Sequence, residues 1–576
     1  MAFRHWRESV MYQLYPQSFK DSNGDGWGDL QGILDKVDYL TELGIDLIWL
    51  GPIYDSPMVD NGYDIRDYQR IHPRYGTMDD FQQLLKRLHE QEIRLIMDLV
   101  INHTSDEHPW FQQSRSSKDN PYREYYIWRP PGDDGGEPNN WRSFLDESAW
   151  TYDEQTGEYY LHLFDRKQPD LNWEHPQLRE ELYEMIRWWL DQGIDGFRLD
   201  AINMISKHPD LPDAPEDAPH PLGQQFYKNG PRIHEFLHEL HEQTFARYDH
   251  IVTLGEAPSV TMEEVLNYTA PARGEMDMVL AMDMMRIGKD AKDPWQNRDW
   301  SITELKESVL KWHDGVHGRG GYAVYLSTHD HPRILPDVIG AGEHYDQAAK
   351  LVGTFLHTIP GIPLIYQGEE LGLPNTLYPH IDDYRDAGTI GYYERAVADG
   401  ESEQQVLDKI HKRSRDGSRA PMPWNCTLPQ AGFSEAEPWI PVTPEEQLKG
   451  RCADDQLVHP DSVLHYYRQL IRLRRMNPIV IYGSLTMLLP EHEQIMAYVR
   501  EWEEERWLVV LNFADEDVSV DWSQTPIAGT ERMIKLHGNY PKFSRPVDRE
   551  DEHDLSELEV LRPYEALIYR MPSTTL

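Results

Sequence analysis

The stretch Ile93-Arg94-Leu95-Ile96-Met97-Asp98-Leu99-Val100 decides the fold. It is an apolar run of strand length, as expected for a strand buried on both faces of a parallel sheet. Working outward from it, β-rich runs recur at 10–15, 45–50, 194–200, 251–256, 276–282, 323–329 and 362–367. The run at 276–282 is the least strand-like of the eight. Helical patterns lie between them: Phe81, Leu84, Leu85 and Leu88 within 78–91, and Leu178, Leu182, Met185, Ile186 and Trp189 within 177–192. Eight strands alternating with helices predict an α/β fold, a (β/α)8 TIM barrel.

The third and fourth strands are separated by about 90 residues, far beyond an ordinary crossover. That gap holds Pro130, Pro131, Gly132, Trp141, Tyr159 and Tyr160 and reads as an inserted small domain over 104–172. A second long excursion, 373–450, follows the eighth strand. After Pro478 the runs 484–489, 495–500, 507–513, 532–536 and 566–570 predict an antiparallel β-sandwich. The expected organisation is a barrel from 1–103 and 173–478, an inserted domain at 104–172, and a C-terminal domain at 479–576.

The chain has 576 residues, 39% hydrophobic and 27% charged, which excludes long disorder and supplies a large core. Lys and Arg number 56 against 99 Asp and Glu, a net charge of −43. So negative a surface repels phosphate backbones, and neither nucleic acid nor an anionic membrane is expected as a partner. Two cysteines, Cys426 and Cys452, exclude a disulfide framework; they could pair with each other, but a reduced pair of thiols is the expectation. Residues 1–16 contain no apolar run of signal-peptide length. The longest apolar stretch, 351–366, is interrupted by Pro360, Gly361 and Pro363 and is too short to span a bilayer. The expectation is a soluble, cytoplasmic protein, a monomer or homodimer.

Active sites of such barrels form at the C-terminal ends of the strands. The third strand leads into Asp98, Asn102 and His103, the fourth into Arg198 and Asp200, the fifth into Glu256, and the seventh into His329 and Asp330. Charged groups capping four buried strands converge on one rim, more than isolated structural ion pairs require.

Six motifs then resemble the alpha-amylase family of glycoside hydrolases, in order and over nearly the whole chain. They are NGYDI from Asn61, DLVINH from Asp98, QPDLN from Gln168, GFRLD from Gly196, GEAP from Gly255 and HD at His329. The opening ESVMYQLYPQSFKDSNGDGWGDLQGI from Glu8 and SRDGSRAPMPW from Ser414 narrow the resemblance to the oligo-1,6-glucosidase and α-glucosidase branch. The resemblance implies Asp200 as nucleophile, Glu256 as general acid/base and Asp330 as stabiliser of the distorted transition state. Retaining glycosidases need one ionised carboxylate and one protonated carboxyl. Arg198, two residues from Asp200, is expected to lower the Asp200 pKa. Negative charge from Asp200 and Asp330 is expected to keep Glu256 protonated near neutrality. By the same match Asp64, His103, Arg198, His329 and Arg415 would bind the terminal glucose, and Tyr63 and Phe164 would stack on it.

Asp21, Asn23, Asp25 and Asp29 place oxygen donors at alternate positions, with the Trp27 carbonyl between, like the front half of an EF-hand loop. The twelfth position is Gly32, where an EF-hand has Glu. The related glucosidases carry Ca2+ in the matching loop, so a structural Ca2+ is expected, with an ion-free Asx-rich turn as the alternative. No catalytic cofactor is expected.

Relatives that cut α-1,6 bonds usually carry Val after the nucleophile, and those that prefer α-1,4 bonds a smaller residue; here it is Ala201. They also tend to carry a Lys-Trp pair before the seventh strand, whose nearest match here is Arg298-Asp299-Trp300. Both departures imply an exo-acting α-1,4-glucosidase acting on maltose and short malto-oligosaccharides, with transglucosylation as a side reaction. An oligo-1,6-glucosidase, a glucosyl-transferring or trehalose-type relative, and a non-catalytic transporter subunit are the alternatives. Trehalose-6-phosphate hydrolysis would need a cationic pocket that so acidic a chain does not display. Isomaltulose formers carry an Arg-rich stretch where this chain has Arg333-Ile334-Leu335-Pro336-Asp337. Ser327-Thr328 before His329, His331 after Asp330, and Ala257-Pro258-Ser259 after Glu256 depart from the family pattern on the leaving-group side.

Overall fold

The computed structural model describes residues 4–145, 147–290, 295–296, 298–334, 342–540 and 552–572. Eight parallel strands close into a barrel: Met11–Leu14, Leu47–Leu50, Arg94–Val100, Gly196–Asp200, Val252–Gly255, Met278–Leu280, Tyr322–Val324 and Ile362–Tyr366. Each is shorter than its apolar run but lies within it, the weak sixth included. Inward side chains such as Met11, Trp49, Ile96, Leu254 and Leu364 fill the barrel interior. Outward ones, with the helices, form the larger surrounding core. The helix Met78–Glu90 buries Phe81, Leu84, Leu85 and Leu88 and starts on a Thr77/Asp80 capping box. Gly196 has to be glycine: a Cβ there would lie 1.9 Å from the Val252 carbonyl oxygen.

The excursion after the third strand carries a three-stranded antiparallel sheet, ordered Trp128–Arg129, Glu158–Leu161, Trp150–Asp153. The excursion after the eighth contains the helices Ala387–Ala398 and Glu403–Arg413. Beyond them the C-terminal region forms a six-stranded antiparallel sheet, with Ile495–Trp502 and Glu505–Asn512 as its longest pair, and a separate two-stranded ladder.

The cysteines correct the sequence expectation: Cys426 and Cys452 are joined in a disulfide, with Cα atoms 5.7 Å apart. Backbone hydrogen bonds from Ala453 to Pro423 and from Asp454 to Trp424 bring the two segments side by side, a proximity that 26 residues of separation do not announce. Among the described residues no helix is long and apolar enough to cross a membrane.

Candidate active site

The third and fourth barrel strands pair with Asp98 opposite Arg198 and Val100 opposite Asp200. Strand alternation puts Arg198 and Asp200 on one face. The Arg198 guanidinium is almost fully buried. Its Nη1 donates to Asp98 Oδ1 at 2.6 Å and to Asp200 Oδ1 at 2.5 Å, and its Nη2 lies 2.8 Å from Glu256 Oε2. One cation therefore serves three carboxylates.

That sharing overturns the expected lowering of the Asp200 pKa. Burial, joined by the charges of Glu256, Asp98 and Asp330, outweighs Arg198 and holds the Asp200 carboxyl well above the usual carboxylate range. A proton held among carboxylates this close belongs to the set and not to one residue. Asp98, wholly enclosed, is raised to about 6 by burial against the pull of Arg198 and of Trp49, which donates to it at 2.7 Å.

Glu256 follows the fifth strand, its N–H donating to the Leu199 carbonyl at 2.9 Å. Its Oε2 also accepts from the Ala201 N–H at 3.0 Å. Ala201 has a left-handed backbone (φ 43°), which turns the chain immediately after Asp200.

Asp330 is bound from three sides. Arg415 Nη1 and Arg419 Nη2 donate to its Oδ1 at 2.9 and 3.3 Å, and His329 Nε2 lies 3.1 Å from Oδ2. Burial alone would raise its pKa, but His329, Arg415 and Arg419 hold it far below the carboxylate range. Burial pushes His329 down to about 3, so its imidazole is neutral. The ring lies parallel to Tyr63, with centroids 5.5 Å apart, and its two nitrogens sit 2.6 Å from Gln13 Nε2 and 2.7 Å from the Tyr63 hydroxyl.

These groups surround a cavity of about 410 Å³ at the C-terminal mouth of the barrel, the size of a small-molecule site. Asp200, Glu256, Asp330, Tyr63, His103, Phe164, Ala201 and Arg415 all line it. Arg198 and His329 lie beneath, behind the carboxylates they contact. Phe164 and Phe144 stack with centroids 5.1 Å apart, forming an aromatic wall from the excursion after the third strand.

Among the proposed sugar ligands, Asp64 stands apart in its surroundings. It is fully buried, does not line the cavity, and its oxygens accept the backbone N–H groups of Val59 and Asp60 at 2.9 and 3.0 Å. Burial raises it to about 6. It shapes the loop that presents Asp60, which does line the cavity and sits 3.4 Å from Arg415 Nη2. Sequence reasoning missed Asp60, and also Asp386, whose Oδ1 accepts from Arg415 Nε at 2.6 Å. Asp386 is also the N-cap of the helix Ala387–Ala398, accepting from the Thr389 N–H, and no motif marks it in the sequence.

His103 is held by Gln168, whose Nε2 lies 3.3 Å from its ring, and by the Tyr63 carbonyl, 3.2 Å away. Beneath it Lys207 Nζ lies 2.7 Å from Asp170 Oδ2 and donates to Asn102 Oδ1 at 2.8 Å. This buried ion pair ties the excursion after the third strand, through Asp170, to Lys207 beyond the fourth.

In the acidic first loop, Asp21 Oδ1 accepts from the N–H groups of Asn23 and Gly24, and its Oδ2 from Gly26 N–H and the Ser434 hydroxyl. Asp29 Oδ1 caps the next helix through Gly32 N–H, and its Oδ2 accepts from Ser22. Asn23 and Asp25 are exposed. The donors are all oxygen, which suits Ca2+ by chemistry. Among the described residues the carboxylates of Asp21, Asp25 and Asp29 do not all lie within 4.8 Å of one another, so they would have to draw together around an ion.

The alpha-amylase catalytic domain model matches residues 13–483. The chain belongs to the alpha-amylase family. A maltogenic amylase C-terminal domain model matches 485–541. Oligo-1,6-glucosidase of Parageobacillus thermoglucosidasius is 46% identical over 570 residues, covering 98% of this chain and 99% of the relative. The crystal structure of Bacillus licheniformis trehalose-6-phosphate hydrolase superimposes with a TM-score of 0.90 at 38% identity, over 99% of this chain and 100% of that one. Isomaltulose synthase from Protaminobacter rubrum superimposes with a TM-score of 0.91 at 37% identity, over 100% of both chains. This alpha-amylase-family chain is an enzyme, a glycoside hydrolase of the α-glucosidase type. Of its departures from the family pattern, His331 and Pro258 line the cavity, whereas Ser327 turns away to donate to Glu369 at 2.5 Å. Arg298 is exposed and pairs with Glu304. Residues 335–337 of the stretch from Arg333 lie outside the described residues.

Proposed function

We propose that the enzyme is a retaining exo-α-glucosidase that releases glucose from the non-reducing ends of short α-1,4-linked oligosaccharides. With the shared proton on Glu256, Asp200 attacks the anomeric carbon while Glu256 protonates the glycosidic oxygen. The C–O bond to the leaving sugar breaks as the Asp200–glucosyl bond forms. Glu256 then takes a proton from water, whose oxygen displaces Asp200 and yields α-glucose. Arg415, Asp60 and His103 close the cavity around the terminal ring, which accounts for exo action. A sugar in place of that water gives transglucosylation.

The observation that carries the linkage is Ala201. It lines the cavity beside the nucleophile, and its small side chain leaves room for the second sugar of a maltose unit. The relative 46% identical and named an oligo-1,6-glucosidase favours the second reading, α-1,6 cleavage. Initial rates on maltose, isomaltose and trehalose, with the product anomer followed by NMR, separate the two. Maltose cleaved fastest with α-glucose released supports the proposal. Isomaltose cleaved fastest transfers it to the second reading, and β-glucose as first product removes retention.

Ca2+ in the first loop belongs to the same proposal. Asp21, Asn23, Asp25, Asp29 and the Trp27 carbonyl would hold it, and it would stiffen the loop after the first strand without entering the chemistry.

A further inference from the structure

The segments that carry Cys426 and Cys452 are held together by more than the bond between the sulfurs. The Ala453 N–H donates to the Pro423 carbonyl at 3.0 Å, and the Asp454 N–H to the Trp424 carbonyl at 2.9 Å. Asn425 Nδ2 donates to Asp454 Oδ2 at 3.0 Å. Trp424 is itself fixed: its Nε1 donates to the Phe19 carbonyl at 2.7 Å, and its ring meets Phe19 and Tyr39 edge-on, each with centroids 5.1 Å away. Reduction therefore leaves two thiols side by side.

A third ligand stands with them. A carboxylate oxygen of Asp455 and the two sulfurs all lie within 4.8 Å of one another. Among the described residues no hydrogen bond or ion pair occupies the Asp455 carboxylate. Cys452 is fully buried, whereas Cys426 and Asp455 are partly exposed, so the buried sulfur forms the floor of a cradle that opens to solvent. Tetrahedral Zn2+, with Zn–S bonds of about 2.3 Å, spaces two thiolates roughly 3.7 Å apart. The Cα atoms, 5.7 Å apart, permit that spacing by side-chain rotation just as they permit the disulfide. Two thiolates and a carboxylate select Zn2+ over Ca2+ or Mg2+, which take oxygen ligands throughout.

We propose that the reduced enzyme binds one Zn2+ ion through Cys426 Sγ, Cys452 Sγ and an Asp455 oxygen, with water as the fourth ligand, and that oxidation to the disulfide expels it. A dithiol reductant gives two electrons and two protons to the disulfide, leaving two thiols here and a disulfide on the reductant. The ion then displaces one proton from each thiol. In the reverse direction a disulfide oxidant takes two electrons from the thiolates, the S–S bond forms and the ion leaves. Bond or ion, the cross-link pins the far end of the segment whose near end carries Arg415 and Arg419, the two arginines that donate to Asp330. The strongly negative chain, at −43, concentrates cations around such a site.

The test uses the full chain, reduced anaerobically with a dithiol and freed of reductant by gel filtration, with its thiols counted by a thiol reagent. Titration with Co2+ should produce a sulfur-to-cobalt charge-transfer band that saturates at one ion per chain and is bleached by Zn2+. The oxidised wild type and Cys452→Ser should lack that band. Asp455→Asn keeps both cysteines and their bond, so it folds as the wild type does, yet once reduced it should bind the ion about tenfold or more weakly, at least the loss that follows removal of an outer-shell partner. Zn2+ should also raise the Tm of the reduced wild type and leave that of the oxidised form unchanged. A reduced wild type without the band, equal affinity in Asp455→Asn, or a disulfide that yields no thiols in the folded enzyme would each overturn the proposal.

Discussion

Glu256 Oε2 accepts a hydrogen bond from the Ala201 N–H at 3.0 Å, tying the acid/base to the residue that follows the nucleophile. The turn after the fourth strand thereby fixes both reacting groups at once. Glu256→Gln keeps an acceptor for this N–H but has no proton to exchange. Its kcat on maltose should fall ~10²–10⁴-fold, the range for lost general acid–base catalysis. Loss should be much smaller for a dinitrophenyl glucoside with azide present, which needs neither protonation nor an activated water. Equal losses on both substrates would assign the proton to another group.

Ala201→Val should shift the maltose-to-isomaltose ratio of kcat/KM toward isomaltose by about 10-fold or more, as expected when one side chain of this size enters a pocket. A branched residue at φ 43° also adds backbone strain of about 1 kcal/mol, so Tm should fall. An unchanged ratio would show that linkage is selected elsewhere in the cavity.

Glu369 is fully enclosed, and burial raises its carboxyl to about 7 from an ordinary 4.5. A raised folded-state pKa contributes stability that is complete below the unfolded pKa and is lost as pH climbs through 7. Between pH 4 and pH 8, unfolding free energy of Glu369→Gln minus that of the wild type should move in the variant's favour by ~3 kcal/mol. Urea melts at both pH values measure it; a flat difference means that folding does not raise the carboxyl's pKa.

Lys207→Met leaves Asp170 buried without its cation, which should cost about 3–5 kcal/mol of stability. Because Asp170 and Asn102 support His103 and the Phe164 wall, KM for maltose should rise as well. A Tm loss without a KM change would confine the pair to a structural role.

Exhaustive chelation should lower Tm, with Ca2+ restoring it and Mg2+ failing to, since the loop's flexible oxygen donors suit the larger ion. Chelation without a shift in Tm makes the loop a self-contained Asx-rich turn, held by the hydrogen bonds that backbone N–H groups donate to Asp21 and Asp29.

The barrel is legible because its strands are buried on both faces, which leaves long apolar runs such as 93–100. Their C-terminal caps then point to Asp200, Glu256 and Asp330 without any geometry. Asp60 escapes because Asp64, four residues on, carries the motif, and only burial shows that Asp64 faces backbone amides. The direction of the Asp200 pKa is hidden because spacing reveals that Arg198 is near, not that it is divided among three acids. The Cys426–Cys452 pairing is invisible for a simpler reason: 25 residues of chain lie between the two and neither sits in a motif.

The Lys207–Asp170 fastening has a consequence for descent. Because the aromatic wall is carried by residues 104–172, which this buried pair helps to fasten, whereas the reacting acids belong to the barrel rim, loops of 104–172 can drift under selection while the bond-breaking apparatus keeps its shape. New sugar preferences can arise in such a scaffold by remodelling the lining alone.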